Sequence, residues 1–331
     1  MRIGLRSIAV LALLLSAPAL PQQTDQPPRH SAPAPFLGTG APVEIQARAD
    51  QGMQIERDRS PADELDEHRK LERALRALLP QRSGTVDAYV VVVALDSDPV
   101  FAREARAAGE VLRRRYNAAG RTIVLAGPDG SGPSQLPRGS PATLAVALAR
   151  IAELIDRQED AVILYTTSHG APYGLYYNDG DSGYGLISPN RLAAMLDRLG
   201  LANRLLILNA CFAGVFVPRL QSDAGAIVTA ASADRSSFGC VAENDWTFFG
   251  DALINHALRG PQPLNAAFAQ AGATIAGWEA QFQVMPSQPQ LSIGAGTARW
   301  LGALERRIPP AATAPVGRPA VETSRALMSR H

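Results

Sequence analysis

Lysine and cysteine are the scarce residues of this chain: one and two, respectively, in 331. Two cysteines, Cys211 and Cys240, cannot build a disulfide scaffold, and a single Cys211–Cys240 bridge is the most they can form. With one lysine, Lys70, almost all positive charge is arginine, a usage we read as GC-rich codon bias rather than as a site. Net charge is also small, +1, so there is no global field for nucleic acid or an acidic membrane surface. Beyond the N-terminus no run is long and apolar enough to span a bilayer, and no membrane span is expected in the mature chain. Gly-x-Ser-x-Gly is absent, and with it any sign of a serine-hydrolase elbow. Residues 127–132 (Gly-Pro-Asp-Gly-Ser-Gly) lack the Gly-Lys-Ser/Thr ending of a phosphate loop. Two cysteines and one well-placed histidine fall short of the usual soft metal ligands, and turn or helix contexts explain Asp179, Asp181 and Asp197. No metal and no cofactor are expected.

The N-terminus has the layout of an export signal. Residues 1–6 are basic, Ile8 to Leu15 is apolar but too short to span, and Ala17-Pro18-Ala19 offers small residues for cleavage after Ala19. The expectation is a signal peptide over 1–19 and a periplasmic or secreted mature protein, with an uncleaved anchor as the alternative. Residues 20–60 are rich in Pro, Gln, Ala and Arg without a hydrophobic period, and read as a disordered linker. Residues 305–331 read as a disordered tail. That leaves 61–304 for one folded domain, in a chain whose 46% apolar content supports a sizeable core.

Inside that domain strands and helices alternate. Ser60-Pro61-Ala62-Asp63-Glu64 opens a helix with proline at its first position and acids in its first turn. Leu65, Leu71, Leu75, Leu78 and Leu79 form its apolar stripe, and Pro80 stops it. Val86 to Leu95 is a continuous apolar run, as expected of a strand buried on both faces. A helix at 101–118, a strand at 122–126, a loop at 127–140 and a helix at 141–157 follow. Next come a strand at 161–167, a hairpin at 174–187 turning at Asn178-Asp179-Gly180, a helix at 189–199 and strands at 204–209 and 226–230. Helices at 245–258 and 263–282 and a strand at 290–294 complete the domain. The alternation implies a mainly parallel sheet covered by helices on both faces.

Two of these strands end on reactive residues. Thr167-Ser168-His169-Gly170 closes one, and Asn209-Ala210-Cys211-Phe212-Ala213-Gly214 closes the other. Open α/β sheets bind their ligands outside the carboxyl ends of the strands, so a histidine and a cysteine reach one edge and can act as base and nucleophile. His30 and His331 lie in the expected linker and tail, and His68 and His256 within helices, which leaves His169 as the partner for Cys211. A helix beginning after Cys211 would aim backbone N–H groups at the sulfur and favour the thiolate. Gly170 leaves room for a substrate carbonyl. Its N–H, with that of Cys211, is expected to form an oxyanion hole.

At these residues the chain resembles the legumain family of cysteine peptidases (asparaginyl endopeptidases), and specifically its bacterial exported branch. The resemblance runs from about Val86 to Gly294. It rests on the His169-Gly170 and Ala210-Cys211 motifs, 42 residues apart, each after an apolar strand. A third block, Thr229 to Cys240 followed by Phe248-Phe249-Gly250-Asp251, is similar to family segments as well. The resemblance implies a caspase-like three-layer sandwich, α/β, with a mostly parallel six-stranded sheet and helices on both faces. It also implies a substrate pocket drawing on Ser236, Asp251 and an arginine, for which Arg103 is the nearest residue. The blander readings are a turn residue for Ser236 and a helix-surface charge for Asp251. The family places Glu two residues before the nucleophile, where this chain has the neutral Asn209, which puts asparagine selectivity in doubt.

Three functions follow. The first is a cysteine endopeptidase acting on exported or envelope polypeptides through a thioester. The second is a transpeptidase or ligase using the same Cys–His pair. The third is a non-catalytic caspase-like interaction module.

Overall fold

A computed structural model describes residues 40–132, 134–180 and 182–322. The expected signal peptide, the first part of the expected linker and the end of the expected tail lie outside the described residues.

The elements run in chain order α1 (Pro42–Gln51), β1 (Gln54–Glu56), α2 (Pro61–Arg76), β2 (Ala88–Ala94), α3 (Pro99–Arg115), β3 (Thr122–Leu125) and α4 (Pro141–Leu154). Then come β4 (Ala161–Thr167), β5 (Gly170–Ala171), β6 (Gly174–Asn178), β7 (Gly183–Ile187), α5 (Pro189–Arg198), β8 (Arg204–Asn209), α6 (Val217–Leu220) and β9 (Gly225–Thr229). A π-helical turn (Gly250–His256) precedes α7 (Leu264–Gln281), β10 (Gln290–Ile293) and α8 (Leu301–Glu305).

Six strands form the central sheet in the order β10-β9-β8-β4-β2-β3, parallel throughout except where β10 runs against β9. Its central strands β2, β4 and β8 are buried at every position and largely apolar, because successive side chains serve opposite faces and both faces are covered. Val90, Val92, Ile163, Tyr165, Leu205 and Ile207 pack into one core beneath α3 and α7. Tyr89, Val91, Val93, Val162, Leu164, Leu206 and Leu208 pack into a second core beneath α4 and α5. Parallel strands need crossover connections, and the helices that make them seal both faces. The three-layer architecture and six-stranded sheet expected from the sequence are the ones that form. A smaller antiparallel sheet, β1-β7-β6-β5, stands on the edge where β4 ends.

Four local expectations change. The stretch read as linker holds α1 and β1, and β1 pairs with β7 from Gln54↔Gly185 to Glu56↔Gly183. That pairing is backbone to backbone, so a Pro/Gln/Ala-rich composition does not announce it. The leucine stripe of α2 is shallower than its spacing predicts: Leu65 and Leu79 are exposed, and Leu71 and Leu75 only lean on the second core. The helix expected over 245–258 forms over 248–259, wound mostly as a π-helix and closing in a 3-10 turn. The segment after 305, read as a loose tail, packs against the body. There the Val316 N–H donates to Asn255 Oδ1 (2.9 Å), the Ala320 N–H donates to Asp251 Oδ2 (2.8 Å), and Ala320 is fully buried. Acceptors on the π-helical turn satisfy this backbone, a complementarity that composition does not reveal. No helix among the described residues is long and apolar enough to cross a membrane.

Candidate active site

Strands β4 and β8 are parallel neighbours with Thr167 opposite Asn209. His169 and Cys211 therefore each lie two residues past the same rung of the ladder. The Ser168 N–H, bonded to Asn209 O at 3.2 Å, carries the pairing one step further. The next position explains the glycine. A Cβ on Gly170 would sit 2.1 Å from the Cys211 carbonyl oxygen and 3.0 Å from Ala210 Cβ. The crowding recorded here comes from the backbone of Cys211 and the side chain of Ala210.

Phe212, immediately after Cys211, has a left-handed backbone (φ 58°), a conformation uncommon outside glycine and associated with functional turns. Its N–H is held by Arg235 O at 2.8 Å. A 3-10 turn at Ala213–Phe216 and the four-residue α6 follow, instead of one longer helix. The hydrogen bond that reaches the sulfur comes from another loop: the Ser237 N–H donates to Cys211 Sγ at 3.3 Å. The same sulfur lies 3.5 Å from Ser237 O. Both cysteines are free. Burial pushes the Cys240 thiol well up, and the negative charges of Cys211, Glu104, Asp96 and Asp98 add to this. Burial therefore favours the protonated form of Cys240.

His169 packs edge-on against Phe101, with ring centroids 5.0 Å apart. Its Nε2 faces Asp98 Oδ2 at 3.4 Å. Burial works against the imidazolium, but the Asp98 hydrogen bond and the charges of Asp96 and Asp98 outweigh it, so the histidine is raised above its ordinary value. The Asp98 N–H donates in turn to Asp96 Oδ1 at 2.9 Å. These two acids escape the sequence argument. Their signal is positional: Asp96-Ser97-Asp98 follows β2, a third strand ending on the same edge. Among the described residues, Asp96, Asp98 and His169 are also the one group of three whose ligand atoms, all within 4.8 Å of one another, could meet at a metal ion. A cation there would occupy the imidazole that acid–base chemistry requires.

The expected pocket residues are not gathered together. Ser236 is exposed, while its neighbour Ser237 is the residue at the sulfur. Asp251 is fully buried and turned to Asn255, His256 and the Ala320 N–H. Arg103 binds the carbonyls of Ala242 and Asn244, and its Nε lies 3.2 Å from Asp245 Oδ1, so it pins the 242–245 loop.

Asn209 lies directly below Cys211 in sequence, but it is buried and committed to an internal network. Its Nδ2 reaches Glu104 Oε1 (2.5 Å) and Thr247 Oγ1 (2.9 Å). Glu104 also accepts from Tyr165 Oη (2.5 Å), Thr167 Oγ1 (2.7 Å) and the Thr247 N–H (2.8 Å). Gly250 makes room for this carboxyl group, since a Cβ there would meet Glu104 Oε2 at 2.1 Å. The carboxyl group nearest Asn209 in this network thus comes from α3 and lies buried.

Residues 145–295 match the Peptidase C13 family, a stretch that spans both strand-end motifs and the loop carrying Ser237. No curated protein matches the chain. Among solved structures it is similar to caspase-1 from Spodoptera frugiperda, at 12% identity over 64% of this chain and 91% of that one, with a TM-score of 0.44. It is also similar to a structure described as pro-sf-caspase-1, at 12% identity over 64% and 92% of the two chains, with a TM-score of 0.40.

Proposed function

We propose that this C13-type cysteine peptidase is an exported endopeptidase working through a Cys211–His169 dyad. The observation that carries the reading is the shared register of β4 and β8, which brings both strand ends to one edge with Gly170 seated against the Cys211 carbonyl. Export is supported by the basic, apolar and small-residue succession of residues 1–19.

In the proposed reaction, His169 draws the proton from the Cys211 thiol, and the sulfur attacks the scissile carbonyl. The electron pair of the C=O bond moves onto oxygen, where the N–H groups of Gly170 and Cys211 receive it. As the intermediate collapses, the C–N bond breaks and the imidazolium gives its proton to the leaving amine. A thioester remains on Cys211. Water, deprotonated by the same imidazole, attacks the thioester; the C–S bond breaks, the acid leaves, and the imidazolium returns its proton to the Cys211 sulfur. Because Nε2 faces Asp98, Nδ1 is the ring nitrogen that serves the sulfur. Asp98 orients the ring and stabilises its charged form.

The test is covalent labelling with an acyloxymethyl ketone peptide probe under reducing conditions. The wild-type protein is expected to be modified at Cys211, and Cys211→Ala and His169→Ala are expected to lose both labelling and peptide cleavage. Modification at Cys240 alone, or equal labelling of the His169→Ala protein, would overturn the dyad. Adding an acceptor amine and weighing the products separates hydrolysis from acyl transfer.

A further inference from the structure

His169 also opens onto a cavity of about 280 Å³ between the small antiparallel sheet and the end of β2. Met53, Ile55, Tyr176, Tyr184 and Leu186 line it beside the imidazole. The walls are mostly apolar and aromatic, with Asp96 and Asn178 as the polar exceptions, and one side is built by β1, from the stretch whose composition reads as linker. We infer that this cavity is a specificity subsite for an apolar or aromatic side chain on the leaving-group side of the scissile bond, and that the N-terminal strand supplies one of its walls.

The argument rests on the proposed dyad and starts from its direction. The histidine protonates the amine that departs, so the scissile nitrogen is turned toward His169 and the departing chain runs past the imidazole. A cavity that has His169 in its wall lies on that side, beyond the sulfur. Its lining favours desolvation of a large apolar side chain. Nearby charge is already engaged at the rim. Tyr177 Oη accepts from Arg59 at 2.8 Å, and Arg59 is paired with Asp179 at 2.6 Å and with Glu56. Asp96 also borders the cavity, so an anionic side chain entering here would lose its hydration and meet a like charge.

The β1 wall is fixed at several points. Ile55 lies opposite Tyr184 and Gln54 opposite Gly185 in the ladder. The Arg57 N–H bonds to Ser182 O at 2.9 Å. Upstream, α1 is tied to α5 through Asn190 Nδ2 and Asp50 Oδ2 at 2.8 Å. The segment 42–59 is therefore part of the substrate-binding surface and not a tether ahead of it.

The experiment compares kcat/KM for quenched peptides that differ only in the residue directly after the cleaved bond. The wild type is expected to prefer Phe or Leu over Glu by about tenfold or more, the scale of discrimination an apolar pocket supplies. Met53→Lys places a cation in the wall and is expected to raise kcat/KM for the Glu peptide while lowering it for the Phe peptide. A misfolded protein cannot produce that gain. If the wild type labels at Cys211 yet shows no preference at this position, the subsite is wrong and the dyad stands. The same holds if Met53→Lys changes both peptides by one factor. If the wild type neither labels nor cleaves, the dyad fails and the subsite falls with it.

Discussion

Asp98 determines how long His169 stays charged. Its carboxylate contacts Nε2 and, with Asp96, raises the imidazole above its ordinary value of about 6.5 despite burial. Asp98→Asn removes the hydrogen-bonded charge that favours the protonated ring, so the pKa of His169 must fall. Because the neutral ring is the form that takes the thiol proton, the expected outcome is an acidic limb of kcat/KM that moves to lower pH, read directly from the pH–rate profile or from a titration of the His169 ring by NMR. An unmoved limb would detach Asp98 from the imidazole. At this scale the sequence was legible where one residue type is rare: two cysteines and five histidines leave few pairs to consider. Asp96 and Asp98 were harder to read because acids are common and only the end of β2 gives them meaning. Ser236 and Ser237 show the remaining difficulty. Adjacent serines are equivalent in sequence, and the loop's backbone path chooses Ser237 for the sulfur.

Among the elements, α3 contributes most to holding the site from below. Its Glu104 collects hydrogen bonds from β4 (Tyr165, Thr167), from β8 (Asn209) and from Thr247, joining three parts of the chain beneath the two reactive residues. Burial raises this carboxyl group, and its hydrogen bonds only partly oppose that. A raised folded-state value means that the native protein binds more protons than the unfolded chain. The stability linked to it is complete below the unfolded carboxyl range and fades as pH rises through the folded value. Glu104→Gln removes the titration and turns an amide N–H₂ toward groups that are themselves donors. We expect a loss of about 2 kcal/mol together with a flatter dependence of stability on pH, measured by urea unfolding at acidic and neutral pH. An unchanged slope would show that Glu104 does not titrate with folding. The strands and most crossover helices were legible because a doubly covered parallel sheet writes itself as apolar runs separated by amphipathic ones. The helix expected over 245–258 was legible in outline but not in its winding: Gly250–His256 is π-helical, with Gly250 set against the Glu104 carboxyl group.

For the whole molecule, both ends of the described chain belong to the fold. The N-terminal segment completes the small sheet, and the C-terminal segment covers Asp251, Asn255 and Trp246, whose Nε1 donates to Val316 O at 2.8 Å. Removing residues 309–331 would leave these buried groups without their partners, at roughly 1–3 kcal/mol for each unsatisfied group. We expect a stability loss of about 3 kcal/mol in denaturant unfolding; a truncated protein as stable as the full chain would show that the segment only rests on the surface.

Hydrophobic pattern by itself determined the alternating α/β order and the sheet's burial on both faces, because these depend on local periodicity, and the strand-end positions of two rare residue types, together with a family resemblance, singled out Cys211 and His169. The tertiary structure alone decided which neighbours serve them. Asp98 on the imidazole, Ser237 on the sulfur, Glu104 under Asn209, Asp251 turned to the C-terminal segment and β1 as a wall beside His169 all arise from contacts between distant segments, and no local composition or spacing encodes those.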